Sequence, residues 1–134
     1  MTAGEAIKKA QDLRPAAMQE NSDLYYRWLT EVEQEVIEHL NRHVDPTGQA
    51  AEGADWQAEI TYTETDAETD LLLPDRFEMI YVYKIMCEID MMTGETDRYN
   101  NDAILYNQMM SEWKAWYRRH HMPKATGRKG WQLV

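Results

Sequence analysis

Residues 77 to 92 read FEMIYVYKIMCEIDMM, and this stretch decides the fold. Twelve of its sixteen positions are apolar or aromatic, interrupted only by Glu78, Lys84, Glu88 and Asp90. A helix that is apolar on all sides must be surrounded by protein. These residues therefore predict a central helix that the rest of the chain encloses. Charges break the run well below the roughly 20 apolar residues needed to cross a bilayer, so no membrane span is expected.

The flanks fit this reading. Pro74 disfavours the α conformation in Leu73 but suits a first helical turn, with Asp75 and Glu78 placed where negative charge is favoured. Gly94 stands where a helix C-terminus commonly adopts the left-handed conformation. A fourth helix then starts near Thr96 or Asp97. Its Tyr99, Ala103, Tyr106, Met110, Trp113 and Tyr117 recur at alternating spacings of four and three, a seam for packing along another helix. Continued to His121, this helix measures about 37 Å at about 1.5 Å per residue, longer than a domain of this size requires.

Two helices are predicted upstream. Thr2 and Glu5 form a T-x-x-E capping box, followed by Ala6, Ile7, Ala10 and Leu13 at helical spacing until Pro15. Ser22 can cap a second helix, whose Tyr25, Trp28, Leu29, Val32, Val36, Ile37 and Leu40 form the inward stripe and whose end falls near His43. Asp45 to Gly53 reads as loop. The period then changes to two. Residues 58 to 65, around Ile60, Thr61, Tyr62 and Thr63, predict a strand, and Thr69 to Leu73 predict a second, turned at Asp66 to Glu68. Such a lone hairpin is marginal in water and needs packing or a neighbouring subunit to persist.

The expected architecture is thus mainly α: a four-helix domain over residues 1 to 122, with a small β-hairpin between helices 2 and 3 and a long last helix. A basic tail, residues 123 to 134, is expected to be mobile when alone. With 134 residues the chain suits one domain. Nine Met, five Trp and eight Tyr against one Phe give a core of adaptable and amphipathic side chains, a mixture that serves interfaces as well as interiors. Cys87 is the single cysteine, so no internal disulfide is possible, and the start of the chain lacks a secretory signal pattern; an intracellular setting is expected.

Charge is divided along the chain. Through residue 113 there are eight Lys and Arg against 24 Asp and Glu, a net of −16; from residue 114 onward six basic residues and no acid give +6. The acidic body argues against sequence-specific nucleic-acid binding, which draws its affinity from phosphate neutralisation by basic groups. The basic end suits an acidic surface.

Sequence patterns for catalysis are missing. No Glu-x-x-His pair of a di-metal carboxylate bundle occurs; His39 and His43, at i and i+4, offer at most a weak chelate. Asp66, Glu68 and Asp70 lack the glycine and the distal acid of a calcium loop. Neither Ser22 nor Ser111 sits in a nucleophile turn, Cys87 reads as an inert core thiol, and no glycine-rich phosphate loop is found. No cofactor, metal or catalytic residue is expected.

What remains is the run Trp113 to His121, WKAWYRRHH. Basic residues in a last turn complement the helix dipole and its aromatics can be core, but Trp, Tyr and Arg are also the types that most often carry interface energy. Trp113, Trp116, Tyr117, Arg118, Arg119, Arg128, Lys129 and Trp131 are therefore the partner-interface candidates. Tyr62, Leu71, Leu73, Tyr99 and Tyr106 are the subunit-interface candidates.

Leu71-Leu72-Leu73-Pro74, Tyr81-Val82-Tyr83, Gly94-Glu95, Arg98-Tyr99-Asn100-Asn101, Tyr106-Asn107 and Trp116-Tyr117-Arg118-Arg119, with Gly4-Glu5-Ala6-Ile7 and Asp12-Leu13-Arg14-Pro15 before them, give the chain a family likeness. In this order they resemble the small head-to-tail connector, or head-completion, proteins of siphovirus-type phages and prophages of Gram-positive bacteria. The resemblance implies a non-enzymatic virion protein, present in the host cytoplasm during assembly, that forms a ring beneath the portal. Its implied partners are the portal protein and a downstream head-tail joining protein. Two other functions fit the residues: an adaptor or regulator that grips a host protein through the aromatic-basic end, and a metal-dependent enzyme using His39 and His43.

Overall fold

The computed structural model describes residues 1–14, 22–42 and 57–120. Four α-helices are present in this part: α1, Ala3–Leu13; α2, Ser22–Asn41; α3, Met79–Met92; and α4, Thr96–His120. α3 packs against each of the other three, most extensively against α4. Ile80, Tyr81, Val82, Ile85, Met86 and Ile89 are buried around its circumference. This follows from its all-round apolar sequence, which can be dry only inside the protein.

The helix ends obey local chemistry. At α1 the Thr2 hydroxyl accepts from the Glu5 amide (3.2 Å) while Glu5 Oε1 accepts from the Thr2 amide (3.1 Å), so the box closes in both directions. At the end of α3, Gly94 has φ +75°, the Gly94 amide donates to Met91 O (3.3 Å) and the Glu95 amide to Asp90 O (2.9 Å). This is a Schellman closure, and it needs a residue without a Cβ penalty. It reverses the chain so that α4 returns along α3. On α4, Met110, Trp113 and Tyr117 are buried and Tyr99, Ala103 and Tyr106 half-buried, so one edge of the helix carries the whole seam.

Two expected boundaries shift. α2 ends at Asn41, and Asp75 and Phe77 belong to a separate 3₁₀ turn, Asp75–Phe77, ahead of α3. The expected β-hairpin is not formed: the described residues contain no strand, only one antiparallel bridge between Thr2 and Asp70. The alternation is real as burial from 60 to 63, with Ile60 half-buried, Tyr62 inside and Thr61 and Thr63 outside. The backbone partners, however, come from elsewhere. The Asn41 side-chain amide brackets Gln57, accepting from its N–H (2.8 Å) and donating to its C=O (3.0 Å). Thr30 Oγ1 accepts from the Tyr62 amide (2.9 Å). After a 3₁₀ turn, Glu64–Asp66, the chain runs beside the N-terminus: the Ala3 and Gly4 amides donate to Thr69 O and Ala67 O, and the Leu71 amide to Met1 O, each at 2.9 Å. Side chains of α2 and the start of the chain thus supply these backbone partners in place of a second strand.

Gly4 makes that approach possible, because a Cβ there would lie 2.9 Å from Ala67 O.

Candidate partner surface and buried polar clusters

The end of α4 divides its aromatic residues between interior and surface. Trp113 and Tyr117 are buried and stack edge-on against His39 of α2, with ring centroids 5.1 and 5.8 Å away. Trp116, one helical step aside, is half-buried. Its ring lies 5.6 Å from Phe77 and 4.5 Å from His120, and the Arg76 guanidinium stands over both Phe77 (5.1 Å) and Trp116 (5.9 Å). The His120 ring is tied to the helix by Nδ1 and Trp116 O, 2.8 Å apart. Arg118 and Arg119 are exposed on the same turn of α4. The result is a ledge of Arg76, Trp116 and His120, with Arg119 on the adjoining side of the helix and Arg118 toward its far side.

Of the partner-interface candidates, then, Trp116, Arg118 and Arg119 are at the surface and Trp113 and Tyr117 are core. Arg128, Lys129 and Trp131, with the rest of the tail and His121, lie outside the described residues. Among the subunit-interface candidates, Tyr62, Leu71 and Leu73 are buried against this chain's own core, while Tyr99 and Tyr106 are half-buried. The Tyr106 hydroxyl donates to Glu35 Oε1 (3.0 Å), and Lys114 pairs with the other oxygen (2.9 Å). His39 sits against Trp113 and Tyr117, His43 is outside the described residues, and no group of three or more metal-ligating side chains occurs among the described residues. No described helix is long and apolar enough to cross a membrane.

Two buried clusters match none of the sequence motifs above. In the first, Glu33 of α2 is fully buried and accepts from the Tyr81 hydroxyl (2.6 Å), the Tyr62 hydroxyl (2.7 Å) and the Leu72 amide (2.9 Å). The Leu73 amide donates in turn to the Tyr81 oxygen (2.9 Å). Burial pushes the Glu33 carboxyl above its ordinary range, against the pull of those donors. Burial, and with it the Glu33 carboxylate, raises both tyrosines as well.

In the second, Arg14, just past α1, reaches α3 and α4 together. Its Nε donates to Asp90 Oδ1 (2.9 Å) and its Nη2 to Asp90 Oδ2 (3.3 Å) and Asp102 Oδ2 (3.0 Å). Burial, helped by a hydrogen bond with Asp90 and by that residue's charge, pushes Asp102 up to about 6. Burial works against ionised Asp90 too, but the hydrogen bonds from Arg14 and Asp102 outweigh it and hold Asp90 below the usual carboxylate range. Arg14 faces both acids, and below about pH 6 a proton on Asp102 removes the second negative charge.

The sequence carried a signal for both. Glu33 occupies the inward stripe of α2, four residues from Leu29 and Ile37, and Asp90 interrupts the apolar run of α3. An acid on a buried face requires partners. Here they come from the chain itself, so the clusters tie elements together.

Cys87 is buried, its thiol pushed up to about 11 chiefly by burial and then by neighbouring acids, Glu88 first, and its Sγ–H points to Tyr99 O (3.8 Å). That is a thiol kept protonated and unreactive.

No protein-family model, curated protein or solved structure matches this chain.

Proposed function

We propose that this chain is a structural, non-enzymatic subunit of a phage head-to-tail connector, assembling as a ring and gripping the portal protein, or the joining protein below it, through the aromatic-basic end of α4. The observation that carries the reading is the ledge of Arg76, Trp116 and His120 together with exposed Arg118 and Arg119 on the same last turns of α4. It joins the residue types that most often hold interfaces to a concentration of positive charge on an otherwise acidic molecule. The resemblance of the ordered motifs to connector proteins supports the same role. Buried acids whose partners are internal suit a rigid part better than a reacting site. The acidic remainder of the surface suits a part that DNA passes without adhering, since like charges do not trap it.

Co-purification of the full chain with its cognate portal tests the proposal. Binding is expected, and Arg118→Glu with Arg119→Glu is expected to abolish it without unfolding the chain. A portal that ignores the wild-type chain contradicts it.

A further inference from the structure

Residues 57 to 63 contain no turn or bend, and their anchors on α2 measure how far they are stretched. Asn41 brackets Gln57, and Thr30 holds the Tyr62 amide. From Asn41 back to Thr30 is eleven residues of α2, about 16 Å at about 1.5 Å per residue. The five steps from Gln57 to Tyr62 cover that distance at about 3.3 Å each, the rise of a β-strand. The segment therefore has strand geometry. It lies antiparallel along α2 with Tyr62 directed inward to Glu33, and no second strand stands beside it among the described residues.

Backbone groups of successive residues in such a strand point to opposite edges. On the edge of Ala58, Ile60 and Tyr62, the Tyr62 amide is held by Thr30 and the Ala58 oxygen by the Gln57 side chain (3.1 Å). On the other edge, the N–H and C=O groups of Glu59 and Thr61 carry no hydrogen bond among the described residues, and both residues are exposed. Beside Thr61 and Thr63 lies an open hollow of about 270 Å³, also lined by Asp23, Arg27, Thr30 and Tyr62, so the chain leaves space next to this edge. We infer that the edge of Glu59 and Thr61 pairs with the same edge of a second copy of this chain, forming a two-stranded antiparallel ribbon with its two-fold axis at Ile60.

The sequence is complementary to itself in this register. Glu59 and Thr61 of one copy face Thr61 and Glu59 of the other and exchange N–H···O=C bonds in both directions, while Ile60, half-buried, stands opposite Ile60. The two Glu59 carboxylates are thereby kept apart, and each comes opposite Thr61, at the hollow that the exposed Arg27 of the other copy lines. A lone pair of strands is marginal in water, but here each strand is already backed by its own α2. A two-fold contact closes on itself, whereas a ring is built from head-to-tail contacts. The inference thus goes beyond the connector reading and does not depend on it.

Sedimentation velocity of the full chain up to about 200 μM tests this, at about 0.15 M salt, where a Debye length of about 8 Å screens the repulsion between copies of net charge −10. Wild type is expected to dimerise. Thr61→Pro removes an N–H from the open edge while suiting an extended backbone, and is expected to weaken the dimer at least about tenfold. Arg27→Glu and Glu59→Arg are each expected to do the same by setting like charges against each other, and an equimolar mixture of these two to regain the dimer, because both of its cross-copy contacts then join unlike charges. All three positions are exposed, and circular dichroism verifies that the variants fold. A wild-type chain that stays monomeric, a folded Thr61→Pro chain that dimerises as well as wild type, or a mixture no stronger than its parts overturns the inference.

Discussion

The Tyr81 hydroxyl reaches from α3 to Glu33 of α2 across 2.6 Å, while its own oxygen accepts the Leu73 amide at 2.9 Å. One side chain thus serves a buried carboxylate and the bend at Leu72 and Leu73 ahead of α3. Among the described residues the Tyr62 hydroxyl serves the carboxylate alone, across 2.7 Å. Removing one partner of a buried hydrogen bond costs the desolvation of whatever is left, more when that is charged. Tyr81→Phe is therefore expected to destabilise the fold by about 2 to 3 kcal/mol and Tyr62→Phe by about 1 to 2 kcal/mol. Urea unfolding of both variants checks the order, and an unchanged midpoint for Tyr81→Phe would refute the assigned role of Glu33.

Asp102 gives a pH dependence with a definite sign. Its folded value, about 6, lies above the ordinary 3.8, so between those limits the folded state holds a proton that the unfolded state releases. Its contribution to stability is complete below about pH 4 and is lost as pH rises through about 6. Asp90 shifts the opposite way and favours folding until acid protonates it. Asp102→Asn keeps a donor for Asp90 and an acceptor for Arg14 without the second charge. The variant is expected to match wild type near pH 4 and to exceed it by about 1 to 2 kcal/mol at pH 7.5. Thermal melts across that range report it; a variant less stable than wild type at pH 7.5 refutes the role assigned to Asp102.

Gly4 tests the path that replaced the expected hairpin. Alanine is the better helix former by about 1 kcal/mol, yet its Cβ would stand 2.9 Å from the backbone oxygen of Ala67. Overpacking against backbone costs about 1 to 3 kcal/mol, so Gly4→Ala is expected to destabilise on balance. A higher melting temperature for this variant would show that residues 67 to 71 do not lie against α1.

The helices were legible because helical burial repeats every three or four residues, and α3 declared itself by being apolar on every side. The capping box at Thr2 and Glu5 and the closure at Gly94 are local, and local chemistry reads directly from sequence. The path of residues 57 to 73 was not legible. Alternation reports which side chains point inward, and it correctly marked Tyr62, but it cannot say that Thr30, Asn41 and Met1 would satisfy the backbone in place of a strand. At the end of α4 the composition pointed to a binding surface, while the split of Trp113 and Tyr117 from Trp116 depends on where His39 and Phe77 lie. Arg14 could not be joined to Asp90 and Asp102 without the fold, since more than 70 residues separate it from either.

The central claim is that this molecule acts through contacts made by the exposed end of α4. Arg118 and Arg119 support no described part of the fold, so reversing both is expected to change the melting temperature little, by about 0.5 kcal/mol or less in stability. Native mass spectrometry of the chain mixed with its cognate portal ring tests the claim most directly. The account predicts a discrete complex with several copies of the chain on each portal, lost when Arg118 and Arg119 are both changed to Glu; a portal ring that keeps its own mass in the presence of the folded wild-type chain contradicts it.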